Sequence, residues 1–213
     1  QRGMVLGCVL AVLFTTSLLW LSFGAAHLTL FILFFALGIF AIIAAIKYTV
    51  GKKAYGYFAL GDVFVFLFFG ILSVVGGSFL FLKTIYLPSI LPAITIGILS
   101  VAVLNLNNMR DLESDKLSQK KTLAGALGFS KSKYYHFSLI SIAFIGALCY
   151  AILSSDVLYL LTCVAFIPLG IHCIRVAKIK DPKMFDPELK KVALSTFLYS
   201  VIFLIIHFLK HWF

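Results

Sequence analysis

The sequence predicts an all-α integral membrane protein in which a multi-helix bundle crosses the bilayer. Of its 213 residues, 62% are hydrophobic and 12% are charged, whereas soluble domains carry about 25% charged residues. The charges are clustered and leave long uncharged runs, most of them close to the roughly 20 residues that a transmembrane helix needs. These runs are 3–46, 63–82, 84–109, 134–155, 157–174 and 192–209.

Seven spans follow from these runs. The first run holds 44 residues and is interrupted by Gly-Ala-Ala-His at 24–27, so we expect two helices, at about 4–23 and 28–46. The third helix is expected at 62–82. Asp62 at its start is interpreted either as a helix-capping residue or as a support for a nearby site.

The remaining helices follow in order. Pro88 and Pro92 place the start of the fourth helix, because proline is tolerated in a first helical turn. The fifth begins near Tyr134-Tyr135-His136, which we interpret as an interfacial aromatic belt. The sixth covers 157–174, and the seventh runs from about 192 to 208. Between these two, 175–191 contains Asp-Pro twice and is interpreted as turns on a solvated surface.

The chain is expected to form a single transmembrane domain over 1–213, because it has no internal repeat, low-complexity tract or linker. Its four cysteines lie in or at the ends of apolar segments without a Cys-x-x-Cys pair, and we interpret them as small hydrophobic residues. No basic patch interleaved with aromatic residues suggests nucleic-acid binding.

The distribution of basic residues predicts the orientation. Sixteen of the 18 Lys and Arg residues lie at the N-terminus and in the loops after the second, fourth and sixth helices, and two, Lys83 and Lys210, lie on the other side. Cytoplasmic loops carry an excess of Lys and Arg. The basic loops are therefore expected in the cytoplasm and the C-terminus outside.

The most informative stretch is 105–128, where seven charged residues follow an uncharged run within twelve positions. If the helix continues through this boundary, Asn107, Asp111 and Asp115 recur every four residues and share one face. Two carboxylates and an amide oxygen suit Mg²⁺ that takes its other ligands from a phosphate and from water. Lys120 and Lys121 follow as counter-charges for phosphate. The same spacing also occurs on solvated helix faces, but ionisable groups that end a membrane-length apolar run favour a functional site.

These residues carry a resemblance to a known family. The run 107–115, followed by Lys-Thr-Leu at 121–123 and Leu-Gly at 127–128, is similar to the second aspartate-rich motif of the UbiA-type membrane prenyltransferases. Tyr48-x-x-x-Lys52 resembles a Tyr-x-x-x-Lys element of the same superfamily. Gly-Tyr at 56–57 and Leu-Gly-Asp at 60–62 are typical of the branch that prenylates 1,4-dihydroxy-2-naphthoate in menaquinone biosynthesis.

The resemblance implies a reaction and a location. Diphosphate would leave an allylic polyprenyl diphosphate with the help of Mg²⁺, and 1,4-dihydroxy-2-naphthoate would capture the prenyl cation with loss of CO₂. The Phe-rich helices would line an apolar cavity that excludes water. A multi-pass protein of the bacterial inner membrane, with its active face toward the cytoplasm, is implied.

The resemblance also implies residue roles. The Mg²⁺ ligands would be Asp111 and Asp115, with Asn107 in support. The diphosphate would meet Lys52, with Tyr48 beside it, and both are expected to be catalytic together with the two aspartates. Arg110 and Lys121 are expected to bind diphosphate, although ion pairs with Glu113 or Asp115 are an equal alternative. Glu113 is expected to point away from the aspartate face.

The sequence departs from the family pattern in one respect. Family members have about nine helices and an earlier Asn-Asp-x-x-Asp motif, whereas seven spans and no such motif occur here. We therefore expect this chain to correspond to the third to ninth family helices, and to be inactive alone. The alternatives are another aromatic prenyltransferase, such as one acting on 4-hydroxybenzoate, a transporter, or a membrane scaffold.

Overall fold

The computed structural model describes residues 2–49 and 59–212, and within them the chain is helical with no strand. The seven long helices are each long and apolar enough to cross a membrane, which confirms the predicted number of spans. Two short helices lie between the fourth and fifth spans. The helices are α1 (Arg2–Phe23), α2 (Leu28–Thr49), α3 (Gly61–Leu82), α4 (Ile90–Arg110), α5 (Leu112–Leu117), α6 (Leu123–Leu127), α7 (Phe129–Leu153), α8 (Val157–Lys178) and α9 (Asp186–Trp212).

Two spans contain non-α turns. The middle of α3, Phe66–Gly76, is wound as a π-helix, and the first part of α8, Val157–Phe166, is wound as a 3₁₀-helix. A 3₁₀ turn at Leu87–Ser89 leads into α4, with Pro88 in its first turn as predicted.

Helix α4 is the centre of the bundle and packs against α3, α7 and α9. The α3–α4 crossing is close because two glycines meet there: a Cβ added to Gly70 would lie 2.6 Å from the Ala93 carbonyl oxygen and 2.8 Å from Gly97 Cα. Small residues let helix backbones approach in lipid, where dispersion contacts rather than hydrophobic burial drive association. The main buried core includes Leu99, Leu106 and Met109 of α4.

Helices α1 and α2 pack against each other. Much of their surface is apolar and exposed, as expected for helices that face lipid. At the predicted outer end, Phe34 of α2 stacks on Phe79 of α3. Lys83 joins the same region by contacting Ser22 of α1 and the Leu80 carbonyl oxygen. The four cysteines are free and partly buried.

Candidate functional site

The predicted metal-binding residues lie where α4 ends. Asp111 has φ −94° and ψ 11°, so it separates α4 from α5. The hydrogen bonds nevertheless keep the helical spacing, because the Asp111 N–H donates to the Asn107 carbonyl at 3.0 Å and the Asp115 N–H to the Asp111 carbonyl at 2.8 Å. Asn107, Asp111 and Asp115 are therefore linked in steps of four despite the break.

Arg110 joins Asn107 to Asp111. Its Nε and Nη2 donate to the two oxygens of Asp111 at 2.7 and 2.8 Å, and Nη2 also donates to Asn107 Oδ1 at 2.7 Å. Nη1 donates to Asp186 Oδ1, at the start of α9, at 2.8 Å. The hydrogen bonds from Arg110 hold the pKa of the Asp111 carboxyl below its usual range. Oxygen atoms of Asn107 and Asp111 thus converge on one cationic group.

Asp115 lies in a different environment. Its carboxylate is buried and accepts hydrogen bonds from Lys120 Nζ at 3.2 and 3.3 Å. It borders a recess of about 740 Å³ whose wall also contains Glu113, Lys116, Lys120 and Lys121. Two of the three predicted ligands therefore meet at Arg110, and the third faces a lysine-rich recess that it shares with Glu113. Binding of one metal ion by all three residues stays a prediction.

The alternative pairings of Arg110 with Glu113 or Asp115 do not form. The guanidinium pairs with Asp111 and Asp186 instead. Lys121 is exposed at the recess, and its role in diphosphate binding stays a prediction.

The segment that follows the loop after α2 lies next to this site. Lys52 lies outside the described residues, and Tyr48 lies at the end of α2 with its side chain undescribed. The chain resumes at Ala59, whose N–H donates to the Lys121 carbonyl oxygen at 2.7 Å. Asp62 lies in the first turn of α3, after the N-cap residue Leu60, where a carboxylate complements the helix dipole. It also accepts a hydrogen bond from Tyr135 Oη of α7 at 2.8 Å, so its roles at the helix start and as a support both stay predictions.

An apolar cavity begins beside Asn107. It has a volume of about 430 Å³, lies between α3, α4 and α9, and is lined by Val65, Phe69, Leu104 and Leu189 among others. A second cavity of about 460 Å³, between α2, α3 and α4, shares Val65, Phe69 and Leu104 with the first. The two cavities form adjoining apolar spaces, with the amide of Asn107 at one border.

A buried polar network near the same end was missed by the sequence analysis. His136 Nε2 lies 2.8 Å from His172 Nε2, and His172 Nδ1 donates to Glu188 Oε2 at 2.6 Å. Lys191 contacts the other carboxylate oxygen. Both histidines are fully buried, so the belt interpretation is wrong for His136. The solvated-turn interpretation of 175–191 is likewise wrong at Phe185 and Glu188, which are buried in the bundle.

The ligand types present fit a magnesium ion that is only partly held by protein. The described residues contain no group of three or more His, Cys, Asp or Glu side chains that could hold a metal alone. Mg²⁺ is usually bound by one or two carboxylates together with substrate phosphates and water. The oxygens of Asn107 and Asp111 already converge on a cation, the Arg110 guanidinium, so the donor set fits such a shared site.

Comparison with known proteins places this chain among membrane prenyltransferases. The model of the UbiA prenyltransferase family matches residues 8–201. A 1,4-dihydroxy-2-naphthoate octaprenyltransferase of Haemophilus influenzae is 43% identical over 177 residues, which cover 80% of this chain and 56% of that protein. The protein of the same name from Escherichia coli is 37% identical over 213 residues, covering all of this chain and 68% of that protein. No solved structure gives a significant match.

Proposed function

Because the chain belongs to the UbiA prenyltransferase family, we propose that the gene product that contains it transfers a polyprenyl group from a polyprenyl diphosphate to 1,4-dihydroxy-2-naphthoate, with release of diphosphate and CO₂. The names of the two bacterial relatives support this acceptor. One observation carries the proposal for this chain: Asn107 both contacts the Arg110 cluster and borders the apolar cavity. A polyprenyl diphosphate, which has a charged head and an apolar tail, matches that arrangement.

The cationic residues of the α4–α6 region would bind the diphosphate. Arg110 offers a planar set of donors, which suits phosphate oxygens, and Lys120 and Lys121 add two ammonium groups at the recess. Lys52 and Tyr48, from the first loop, are proposed to join them. These donors would stabilise the negative charge that develops on the diphosphate as its bond to the prenyl carbon breaks.

The proposed metal ligands are Asp111, Asp115 and Asn107. When bound there, Mg²⁺ supplies further charge neutralisation at the diphosphate oxygens. Hydrogen bonds from Arg110 lower the pKa of the Asp111 carboxyl further below neutral pH, so the site presents a carboxylate, which is the form that binds a cation.

The apolar cavities would hold the prenyl chain and exclude water. The shared wall of Val65, Phe69 and Leu104 contains no polar side chain. An allylic cation formed at the border of such a cavity is kept from reaction with water. The remainder of a long polyprenyl chain would extend toward lipid.

The bond changes balance without a proton. The bond between the first prenyl carbon and diphosphate oxygen breaks, and the ring carbon that carries the carboxylate bonds to the prenyl carbon. The bond from that ring carbon to the carboxylate then breaks, its electron pair returns to the ring, and CO₂ leaves. The residues must therefore neutralise diphosphate and orient the ring, and no general base is needed for the transfer itself.

We also propose a location in the bacterial inner membrane, with the site at the cytoplasmic surface. The excess of Lys and Arg in the loops that carry the site supports this orientation. Both substrates would then meet at one face, the diphosphate from the bilayer and the naphthoate from the cytoplasm.

The proposal is tested with the gene product that contains this chain, reconstituted in vesicles with octaprenyl diphosphate, Mg²⁺ and carboxyl-labelled 1,4-dihydroxy-2-naphthoate. We expect prenylated product and labelled CO₂ in equal amounts, and a loss of at least about 100-fold in Asp111→Asn, as for removal of a main electrostatic group. Asp156→Asn is the matched control, because Asp156 pairs with Lys210 where α8 begins and α9 ends, and not with any residue of the proposed site. Preference for 4-hydroxybenzoate, or full activity in Asp111→Asn, would contradict the proposal.

A further inference from the structure

The Arg110 guanidinium occupies the same oxygens that are proposed to bind Mg²⁺. Both carboxylate oxygens of Asp111 and the amide oxygen of Asn107 accept hydrogen bonds from it at 2.7–2.8 Å. A charged two-point contact of this kind is stronger than an ordinary hydrogen bond. Each of these oxygens keeps a second lone pair, but a divalent ion bound there would lie close to the positive charge of the guanidinium and be repelled by it. The arginine therefore competes with the metal for these oxygens.

Asp186 is the third side chain that Arg110 contacts, and it differs from the other two, Asp111 and Asn107. It belongs to the first turn of α9, 76 residues further along the chain, and accepts from Nη1 at 2.8 Å through Oδ1. It is not one of the proposed metal ligands. Its side chain is 66% exposed, which leaves space for the guanidinium to turn toward it. A carboxylate can accept two parallel N–H bonds from an arginine.

We propose that Asp186 is a positioning residue that retains Arg110 when it releases Asp111 and Asn107, and thereby increases the affinity of the site for a divalent cation. This inference rests on the proposed function, since it assumes that Asp111 and Asn107 bind the cation. In the metal-free state Arg110 is shared between Asp186 and the ligand pair. In the loaded state Asp186 is its remaining partner, so loss of the Asp186 charge penalises the loaded state more.

The position of Asp186 is fixed by neighbouring buried contacts. Phe185, immediately before it, is fully buried, and Glu188, two residues later, is held by His172 and Lys191. The start of α9 is thus anchored in the bundle although Asp186 itself is exposed. This arrangement keeps a flexible arginine within reach of a fixed carboxylate.

The chain offers a matched control for the charge itself. Asp181 and Asp186 lie five residues apart, and each precedes a proline. Asp181 accepts from the backbone N–H of Lys183 at 3.0 Å within its own turn. Replacing either aspartate by asparagine removes one negative charge from the same region, but only the change at Asp186 removes the charge that pairs with Arg110.

The test measures Mn²⁺ binding by the free-ion electron paramagnetic resonance signal, with the chain in lipid nanodiscs and no substrate present. We expect Asp186→Asn to weaken Mn²⁺ binding by about three- to fivefold, the range of a partly exposed ion pair. Asp181→Asn should change it by less than about 1.5-fold. In an Arg110→Gln background, where the competitor is absent, Asp186→Asn should have no effect.

Other Mn²⁺-binding results would overturn either the role of Asp186 or the proposed metal site. Unchanged or tighter Mn²⁺ binding in Asp186→Asn would overturn the inference, and so would an equal loss in the Arg110→Gln background, which would indicate a general charge effect. Mn²⁺ binding that is absent, or unaffected by Asp111→Asn, would refute the proposed metal site and the inference with it. Asp186→Glu should restore most of the affinity, because it restores the carboxylate.

Discussion

The close crossing of α3 and α4 gives a sharp test of the packing. In Gly70→Ala the new Cβ would lie 2.6 Å from the Ala93 carbonyl oxygen and 2.8 Å from Gly97 Cα, both of them backbone atoms that cannot rotate away. The helices would have to separate locally by about 0.8 Å to restore an ordinary contact of 3.4 Å. Such overpacking typically costs about 1–3 kcal/mol, less the roughly 0.5–1 kcal/mol that alanine gains over glycine in a helix.

Gly77 on the same helix is the matched control, since an added Cβ there meets nothing within 4 Å. We expect Gly77→Ala to be neutral or slightly stabilising, and Gly70→Ala to lower the free energy of unfolding by about 1–2 kcal/mol. For a chain of this length that corresponds to a fall of about 2–8 °C in the unfolding midpoint.

The native cysteines provide the assay. Cys149, Cys163 and Cys173 are partly buried in the bundle, so a thiol-reactive fluorophore will report their exposure during heating in detergent. Because Phe69 beside Gly70 lines both apolar cavities, we also expect the variant to bind a polyprenyl diphosphate more weakly. Equal midpoints for Gly70→Ala and Gly77→Ala would refute the claim that backbone contact at Gly70 sets the distance between α3 and α4.

Two further predictions concern the buried network and the orientation. Glu188→Ala should destabilise the protein by about 3 kcal/mol, because it leaves the buried His172 Nδ1–H without its acceptor. Glu113→Ala, at an exposed position, should cost less than about 0.5 kcal/mol. Similar unfolding midpoints for the two variants would contradict this account. In a background without the native cysteines, Asp156→Cys should react with an impermeant maleimide added outside intact cells, and Lys183→Cys should not. The reverse labelling pattern would show that the predicted orientation is wrong.

Sequence reasoning was most successful where long patterns decide the outcome. The number of spans depends on apolar length, which is a property of about 20 consecutive residues, and it was confirmed. Helix ends were less accurate: α2 continues to Thr49 and α9 begins at Asp186, beyond the uncharged runs, because charged residues remain helical where the chain leaves the apolar layer.

The side-chain contacts of the site could not be predicted from a local sequence pattern. The spacing of Asn107, Asp111 and Asp115 indicated a common position, yet Arg110 and Lys120 divide them. Asp186, 76 residues from Arg110, gave no local signal beyond an Asp-Pro turn. His136 and His172 lie on different helices, and only the packing of α7, α8 and α9 brings them to Glu188. The sequence signal for this network was the presence of a histidine in each of two apolar runs, since ionisable groups in such spans need partners.

The late position of α9 in the chain has a consequence for biogenesis. One side of α4 packs against α9 in the finished bundle, but 76 residues separate Arg110 from Asp186. At about 5–20 residues per second, synthesis of that interval takes about 4–15 s. During this time Arg110 has Asp111 and Asn107 as partners but lacks Asp186, and once α8 is made His172 lacks Glu188 until α9 follows. Premature termination before α9 would therefore leave a chain in which Arg110 lacks Asp186 and the buried His172 lacks Glu188.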